Sequence, residues 1–194
     1  MASQVQICNI SLGKIGDYYI SSMIEGTKQQ IYCSIFWDNA RDTLLQSYQW
    51  NFATERVRLA RLADVPVWQY TYKYQLPNDY LKIWDISVDG DFDSTSSIDY
   101  KREGNTILTN EETVYIKYTK KITDTTYFTP LFVRALACDL AILLAEPLFC
   151  ASEATMNRLL SEKEEAVGQA RGVEFDEGKY DPVGYYEMTY VRDN

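Results

Sequence analysis

Apolar residues in the first fifty positions recur every three to four residues. Between positions 4 and 15, Val5, Ile7, Cys8, Leu12 and Ile15 fall at helical spacing, and Gly16 supplies a stop because glycine accepts the left-handed backbone that ends a helix. A second helix of roughly twenty residues is predicted from Thr27, whose hydroxyl can cap it with Gln30 three positions on. Its apolar stripe is Cys33, Phe36, Trp37, Ala40, Leu44 and Tyr48.

After Gln49 the period changes to two. Trp50 and Phe52 are expected on one side of an extended chain, and Val57, Leu59 and Arg61 alternate with Arg58, Ala60 and Leu62. Strand-like runs follow at 68–76, 80–88, 97–101, 106–109 and 114–122. They are broken by Pro77-Asn78-Asp79, Asp89-Gly90, Gly104-Asn105 and Asn110-Glu111, the spacing of an antiparallel sheet or small barrel.

Helical period returns at Thr129-Pro130, a cap followed by a proline suited to the first helical position. LFVRALACDLAILLAE is then apolar almost all round, until Pro147 ends or kinks the helix. Ser152 can cap a last, polar helix running through Ala170. The predicted class is therefore α+β: a helical bundle built from N- and C-terminal helices, with an inserted antiparallel β domain and an extended C-terminal tail. The corresponding boundaries are 1–49 and 129–171 for the two parts of the helical domain, 50–128 for the β domain and 172–194 for the tail.

The tail carries Phe175, Tyr180, Tyr185, Tyr186 and Tyr190 among six acidic residues, while Gly178, Pro182 and Gly184 oppose regular structure. Segments that cannot fold are poor in aromatic residues, so a tail rich in them is expected to lie on a partner.

Charge narrows the partners. Net charge is −9, and the excess of acid grows along the chain: six basic and five acidic groups in 1–62, seven and eleven in 63–128, six and twelve in 129–194. Tight nucleic-acid binding requires clustered cations to neutralise phosphates, and no Lys/Arg cluster is present. There is no histidine, which removes the commonest general base and the usual zinc ligand. Cys8, Cys33, Cys138 and Cys150 lack Cys-x-x-Cys spacing and are expected as free thiols within apolar helices. No basic head precedes an apolar run at the N-terminus and no segment is long enough to span a bilayer, so a cytosolic protein without membrane association is expected.

Local motifs point to structure more than to chemistry. Asp38 and Asp42 are expected on one face of the second helix with Arg41 pointing elsewhere, and Arg41 and Asp42 are read as a fastener within or between subunits. Trp50 and Phe52, each able to bury about 150 to 250 Å², are read as the pin between bundle and sheet. Asp89, Asp91 and Asp93 alternate as in a calcium loop, but Ser94 stands where that loop needs glycine and Tyr100 where it needs a bidentate glutamate, so a solvated hairpin loop is expected. SLGKIG has too few glycines to cradle a phosphate.

Taken in order, these stretches resemble a known family. ICNISLGKIG, FWDNARDTLLQSYQWNFATERVRLA, YKYQLPNDYLKIW and FVRALACDLAILLAEPL are similar to tail tubular protein A of short-tailed phages, over roughly residues 4 to 170. The most specific parts are Ala40-Arg41-Asp42 with Leu44-Leu45, Trp50-x-Phe52-Ala53 and Leu76-Pro77-x-Asp79. The resemblance implies a non-enzymatic virion protein that needs no cofactor or metal, assembled in the host cytoplasm and placed at the head-tail junction. It implies a ring of roughly twelve copies between the capsid portal and the tail nozzle, with genomic DNA passing through an axial channel without specific binding. The helical domain would grip the portal, the β domain would face the nozzle, and the tail residues Phe175, Tyr180, Tyr185, Tyr186 and Tyr190 would run along the portal. An acidic wall would let a duplex slide, and the apolar helix 131–145 would be covered partly by a neighbouring subunit.

Three other readings compete. A tail-associated peptidoglycan hydrolase would use a Glu/Asp pair, although twenty-eight acidic residues guarantee that some pair has a suitable separation. A connector of a long-tailed phage would share the structural role but meet another tail partner. A carbohydrate-binding module is suggested only by Trp68, Tyr70, Tyr72 and Tyr74, whose alternation reads more simply as one face of a strand.

Overall fold

A computed structural model describes residues 2–92, 98–150 and 152–177, the side chains of 175–177 excepted. Over the described residues the protein is a mixed helical and antiparallel-sheet structure with four helices and two sheets: α1 (Gln4–Ile15), α2 (Lys28–Ser47), β1 (Thr54–Arg58), β2 (Ala60–Arg61), β3 (Tyr72–Gln75), β4 (Tyr80–Ser87), β5 (Tyr100–Glu103), β6 (Thr106–Thr109), β7 (Tyr115–Lys120), α3 (Pro130–Ala145) and α4 (Glu153–Glu177).

Each helix starts where a side chain can take up an otherwise orphaned N–H. The Ser3 hydroxyl accepts from the Gln6 N–H while the Gln6 side chain accepts from the Ser3 N–H, a reciprocal box that fixes the start of α1. Thr27 accepts from the Gln30 N–H, Thr129 from the Phe132 N–H and Ser152 from the Thr155 N–H. Gly16, at φ 78°, ends α1 in the left-handed region.

The strands form one sheet of order β1-β7-β4 and another of order β2-β3-β6-β5. Only Leu59 separates β1 from β2; it is buried and its N–H bonds the Val114 carbonyl at 2.8 Å. The chain thus crosses between sheets at one residue, which resolves the expected sheet or barrel into two sheets. Their shared core contains Leu59, Tyr74, Leu76, Ile107, Val114, Ile116 and Tyr118. A second core belongs to the helices and includes Ile7, Leu12, Trp37, Leu45, Trp50, Phe132, Leu136 and Leu144.

Several expectations are corrected. Residues 51–53 form a short 3-10 turn instead of extended chain, so Trp50 and Phe52 do not sit on one side of a strand. The run 68–76 is a strand only over Tyr72–Gln75, because the chain reverses at Gln69, whose φ is 69°. Trp68 is therefore 82% exposed while Tyr70 and Tyr74 are buried, and the four aromatic residues do not share a face. Helix α4 continues past Ala170 to Glu177, taking residues 172–177 out of the expected extended tail and placing Phe175 within its last turn. Gly172 has open space around its Cα and is accommodated.

Helix α3 is covered mostly by its own chain, with Leu131, Ile142 and Leu143 left half-buried. It packs against α1, α2 and α4 of the same chain, and Phe132, Val133, Leu136, Leu140, Ala141 and Leu144 are buried without a second subunit. Asp139, the acid inside this apolar helix, is paired with Lys163 of α4.

Candidate interaction surfaces

The chain leaves the helical core at residues 48–53 and returns to it at 128–132, and an aromatic cluster marks both crossings. Trp50 is fully buried and meets Tyr48 and Phe132 edge to face, with ring centres 5.4 and 5.0 Å away. Phe52 lies 5.0 Å from Phe132 and 6.0 Å from Phe128. The indole N–H donates to the Leu44 carbonyl at 2.9 Å, satisfying one of the last carbonyls of α2, which also receives the Ser47 hydroxyl. Both Trp50 and Phe52 pack with the helical core; Leu81 and Ile122 bring sheet-side residues against that same core.

Arg41 does not point away from its two acidic neighbours. Its guanidinium, almost wholly buried, holds Asp38 through Nη1 at 2.9 Å and Asp42 through Nε at 2.8 Å. Nη2 lies 2.8 Å from the same Asp42 oxygen, yet finds no aligned acceptor, so this contact is electrostatic rather than a hydrogen bond. The other Asp42 oxygen takes Lys121 at 2.9 Å, just after β7. The network therefore fastens α2 to the end of the sheet within one chain. A second clasp joins the end of α4 to the same junction: the Glu174 carboxylate accepts from the Asn51 N–H at 2.6 Å, and the Asn51 amide donates to the Glu174 carbonyl at 2.7 Å.

Groups that could have carried chemistry are occupied structurally. Among the described residues no cluster of three His, Cys, Asp or Glu side chains is placed to hold a metal. Asp89 accepts from the Ser87 hydroxyl and the Asp91 N–H, which hold its carboxyl below the usual range; Asp93 and Ser94, the rest of the supposed calcium loop, lie outside the described residues. Cys8, Cys33 and Cys138 are buried free thiols and Cys150 is half-buried. The neighbouring Cys33 thiol together with burial pushes the Cys8 thiol up. Among the described residues no helix is long and apolar enough to cross a membrane.

Among the described residues the fold leaves large apolar side chains uncovered at several places, three of which are the most exposed or line a groove. In the β2–β3 connection Val65, Val67 and Trp68 are 74%, 105% and 82% exposed. Sequence periodicity missed this tip by counting Trp68 as strand; the Val-Pro-Val-Trp run, with proline inside it, was the available signal. The second lies on α1, where Ala2, Gln6, Asn9, Ile10 and Tyr19 line a shallow groove of about 530 Å³. The third comprises Tyr18 and Ile24 in the α1–α2 connection and Phe149 in the α3–α4 connection, all strongly exposed. Phe149 is held at φ 61° with the Lys28 ammonium 4.5 Å from its ring centre. Of the expected partner-binding residues, Tyr180, Tyr185, Tyr186 and Tyr190 lie outside the described residues, as does the side chain of Phe175.

Compared with known proteins, the chain matches no protein-family model and no curated protein.

Proposed function

We propose that this protein is a structural adaptor of a short-tailed phage, assembling as a ring of roughly twelve copies between the capsid portal and the tail nozzle. The ordered motifs that resemble tail tubular protein A suggest the role. The observation that carries it furthest is the distribution of exposed apolar side chains: the helical part leaves Tyr18, Ile24 and Phe149 uncovered and the sheet part Val65, Val67 and Trp68, as a protein meeting different neighbours on different sides requires. The layout is read as a helical bundle interrupted by a β domain, because α1 and α2 precede the sheets, α3 and α4 follow them, and all four helices share one core.

On this reading the side with Tyr18, Ile24 and Phe149 exposed faces the portal, assisted by the segment after α4, and the sheets face the nozzle. The acidic character of the protein keeps the channel wall from trapping DNA. No step of chemistry is required of any side chain.

Electron microscopy of the purified protein mixed with its cognate portal ring tests the proposal. A single added ring on the tail-facing side of the portal, with one copy per portal subunit or a simple ratio to it, is expected. Absence of any complex at about micromolar concentrations, across a range of salt, would sink the adaptor reading. Truncation after Glu177 tests the tail separately, since cutting earlier would remove the Glu174 clasp and confuse docking with stability. The truncated chain is expected to bind the portal at least about tenfold more weakly.

A further inference from the structure

The connection from α2 to β1, residues 48–53, joins the helical core to the sheets with end groups borrowed from elsewhere. The last turn of α2 has no basic residue to face its outward carbonyls. Trp50 stands at the cap position of the 3-10 turn 51–53, and its side chain accepts nothing from the N–H groups that follow. Both needs are met by the end of α4. Arg171 Nη2 donates to the Ser47 carbonyl at 3.4 Å, 124 residues away in the chain, and its guanidinium carbon lies 5.3 Å from the Tyr48 ring centre. Glu174 accepts from the Asn51 N–H at 2.6 Å and, through its backbone carbonyl, from the Asn51 amide at 2.7 Å.

We infer that residues 171–177 are a latch: a part of the fold that opens ahead of the rest of α4 and sets how firmly the connection at 48–53 is held. The latch stands independently of the adaptor reading.

The end of α4 is separable from the rest of that helix. Among the described side chains, Ala170 is the last in α4 to join the helical core; Val173 is 45% exposed, and Glu174 is buried through its hydrogen bonds to Asn51. Polar contacts of this kind are exchanged for water at small net cost. Gly172 weakens the segment further. A methyl group there would meet nothing within 4 Å, so no close packing demands glycine, and the residue lowers the helix equilibrium about fivefold relative to alanine. Arg171 Nε is buried and has no hydrogen-bond partner, so closing the latch withdraws a donor from water and opening returns it. A helix end with few apolar contacts is where local opening requires least free energy.

The connection responds because its own hydrogen bonds begin where the latch ends. Asn51, whose N–H meets the Glu174 carboxylate, opens the turn in which the Ala53 N–H bonds the Trp50 carbonyl at 3.1 Å and the Thr54 N–H bonds the Asn51 carbonyl. The same few residues place Trp50 and Phe52 against Phe132. Latch and turn therefore each form more readily when the other is formed, and coupling of this sort is reciprocal. Because α4 leads directly into residues 178–194, a partner that grips that segment acts first on the latch and through it on the connection.

Amide hydrogen exchange of the full isotope-labelled chain, read residue by residue by NMR, provides the test. Leu136 and Leu140, at the centre of α3, report global opening. In the parent, residues 172–177 are expected to exchange at least about tenfold faster than residues 156–166. Glu174→Ala is expected to speed exchange at 172–177 and at Ala53 and Thr54 by about tenfold or more, with Leu136 and Leu140 within about threefold of the parent. Glu174→Gln, whose amide oxygen can still accept from Asn51, is expected to recover most of that loss. Gly172→Ala should slow the latch, Ala53 and Thr54 by about fivefold. Ala53 and Thr54 keep their own acceptors in every variant, so a change there reports the latch and not a deleted bond. Rates at Ala53 and Thr54 that stay at the parent value would reduce the segment to an ordinary frayed helix end and overturn the latch. Rates that move only in step with Leu136 and Leu140 would show a general loss of stability and overturn it as well. Should Glu174→Ala fail to fold, Gly172→Ala decides alone, because it leaves the Arg171 and Glu174 contacts in place.

Discussion

Replacing Trp50 with alanine removes the side chain that the helical core closes upon. The indole is fully buried, so about 150 to 250 Å² of surface leaves the core, worth about 4 to 6 kcal/mol at 25 cal/mol/Å². Edge-to-face contacts with Phe132 and Tyr48 add about 0.5 to 1.5 kcal/mol each. The lost hydrogen bond matters less, because the Leu44 carbonyl keeps the Ser47 hydroxyl at 2.8 Å and is not orphaned. Partial collapse of the cavity and residual burial in the unfolded chain reduce the total, and measured Trp→Ala losses of about 3 to 5 kcal/mol set the expectation. For a protein of this length that corresponds to a fall of about 6 to 20 °C in melting temperature. Urea unfolding followed by far-UV circular dichroism is the assay, with Trp50→Phe as comparator. Phenylalanine keeps most of the apolar area and loses the N–H, so it is expected to cost about 1 to 2 kcal/mol. If alanine cost less than about 1 kcal/mol, or phenylalanine cost as much as alanine, burial would not be what makes this residue matter.

Asp42→Asn leaves the buried Arg41 guanidinium with only the exposed Asp38 as an acidic partner and frees Lys121; a loss of about 3 kcal/mol is expected in chemical denaturation. Glu162 is held below the usual carboxylate range, first by its bond to Lys14, so its contribution is present above the unfolded value near pH 4.3 and lost as pH falls through the lower folded value. Glu162→Gln should flatten that acid limb in a pH series of unfolding curves. Tyr118 has the opposite sign: burial, then the neighbouring Asp79, raises its phenol, so stability holds below the unfolded value near pH 10 and erodes as pH rises beyond it, less steeply in Tyr118→Phe. Thiol titration of the native protein should find Cys150 reacting first and Cys8, Cys33 and Cys138 protected until denaturant is added.

The starts of α2, α3 and α4 were legible because capping is local, whereas the Ser3 box that opens α1 was not read. Ser152, Thr27 and Thr129 need only a backbone N–H two or three residues on, and that requirement is written in adjacent letters. Strand identity was legible for the same reason along 80–88, 106–109 and 114–122, where runs of strand-forming residues lie between local turn signals. It failed at 68–71 because the pattern of aromatic residues says nothing about a φ of 69° at Gln69. The end of α4 was misplaced because its last turns are held by Glu174 on Asn51, a partner 123 residues away.

For the candidate surfaces the division is sharper. The sequence by itself determined that the protein would have an acidic, histidine-free surface, helices flanking a sheet region, and more aromatic residues than a small core demands. Only the tertiary structure decided which of them remain outside. It buried α3 among three helices of its own chain, directed Arg41 between two aspartates, and left Trp68, Tyr19 and Phe149 in water. Exposure is a property of what else occupies the space around a side chain, and residues distant in the chain supply those neighbours. Periodicity records which face of an element is apolar; it cannot record whether another element arrives to cover it.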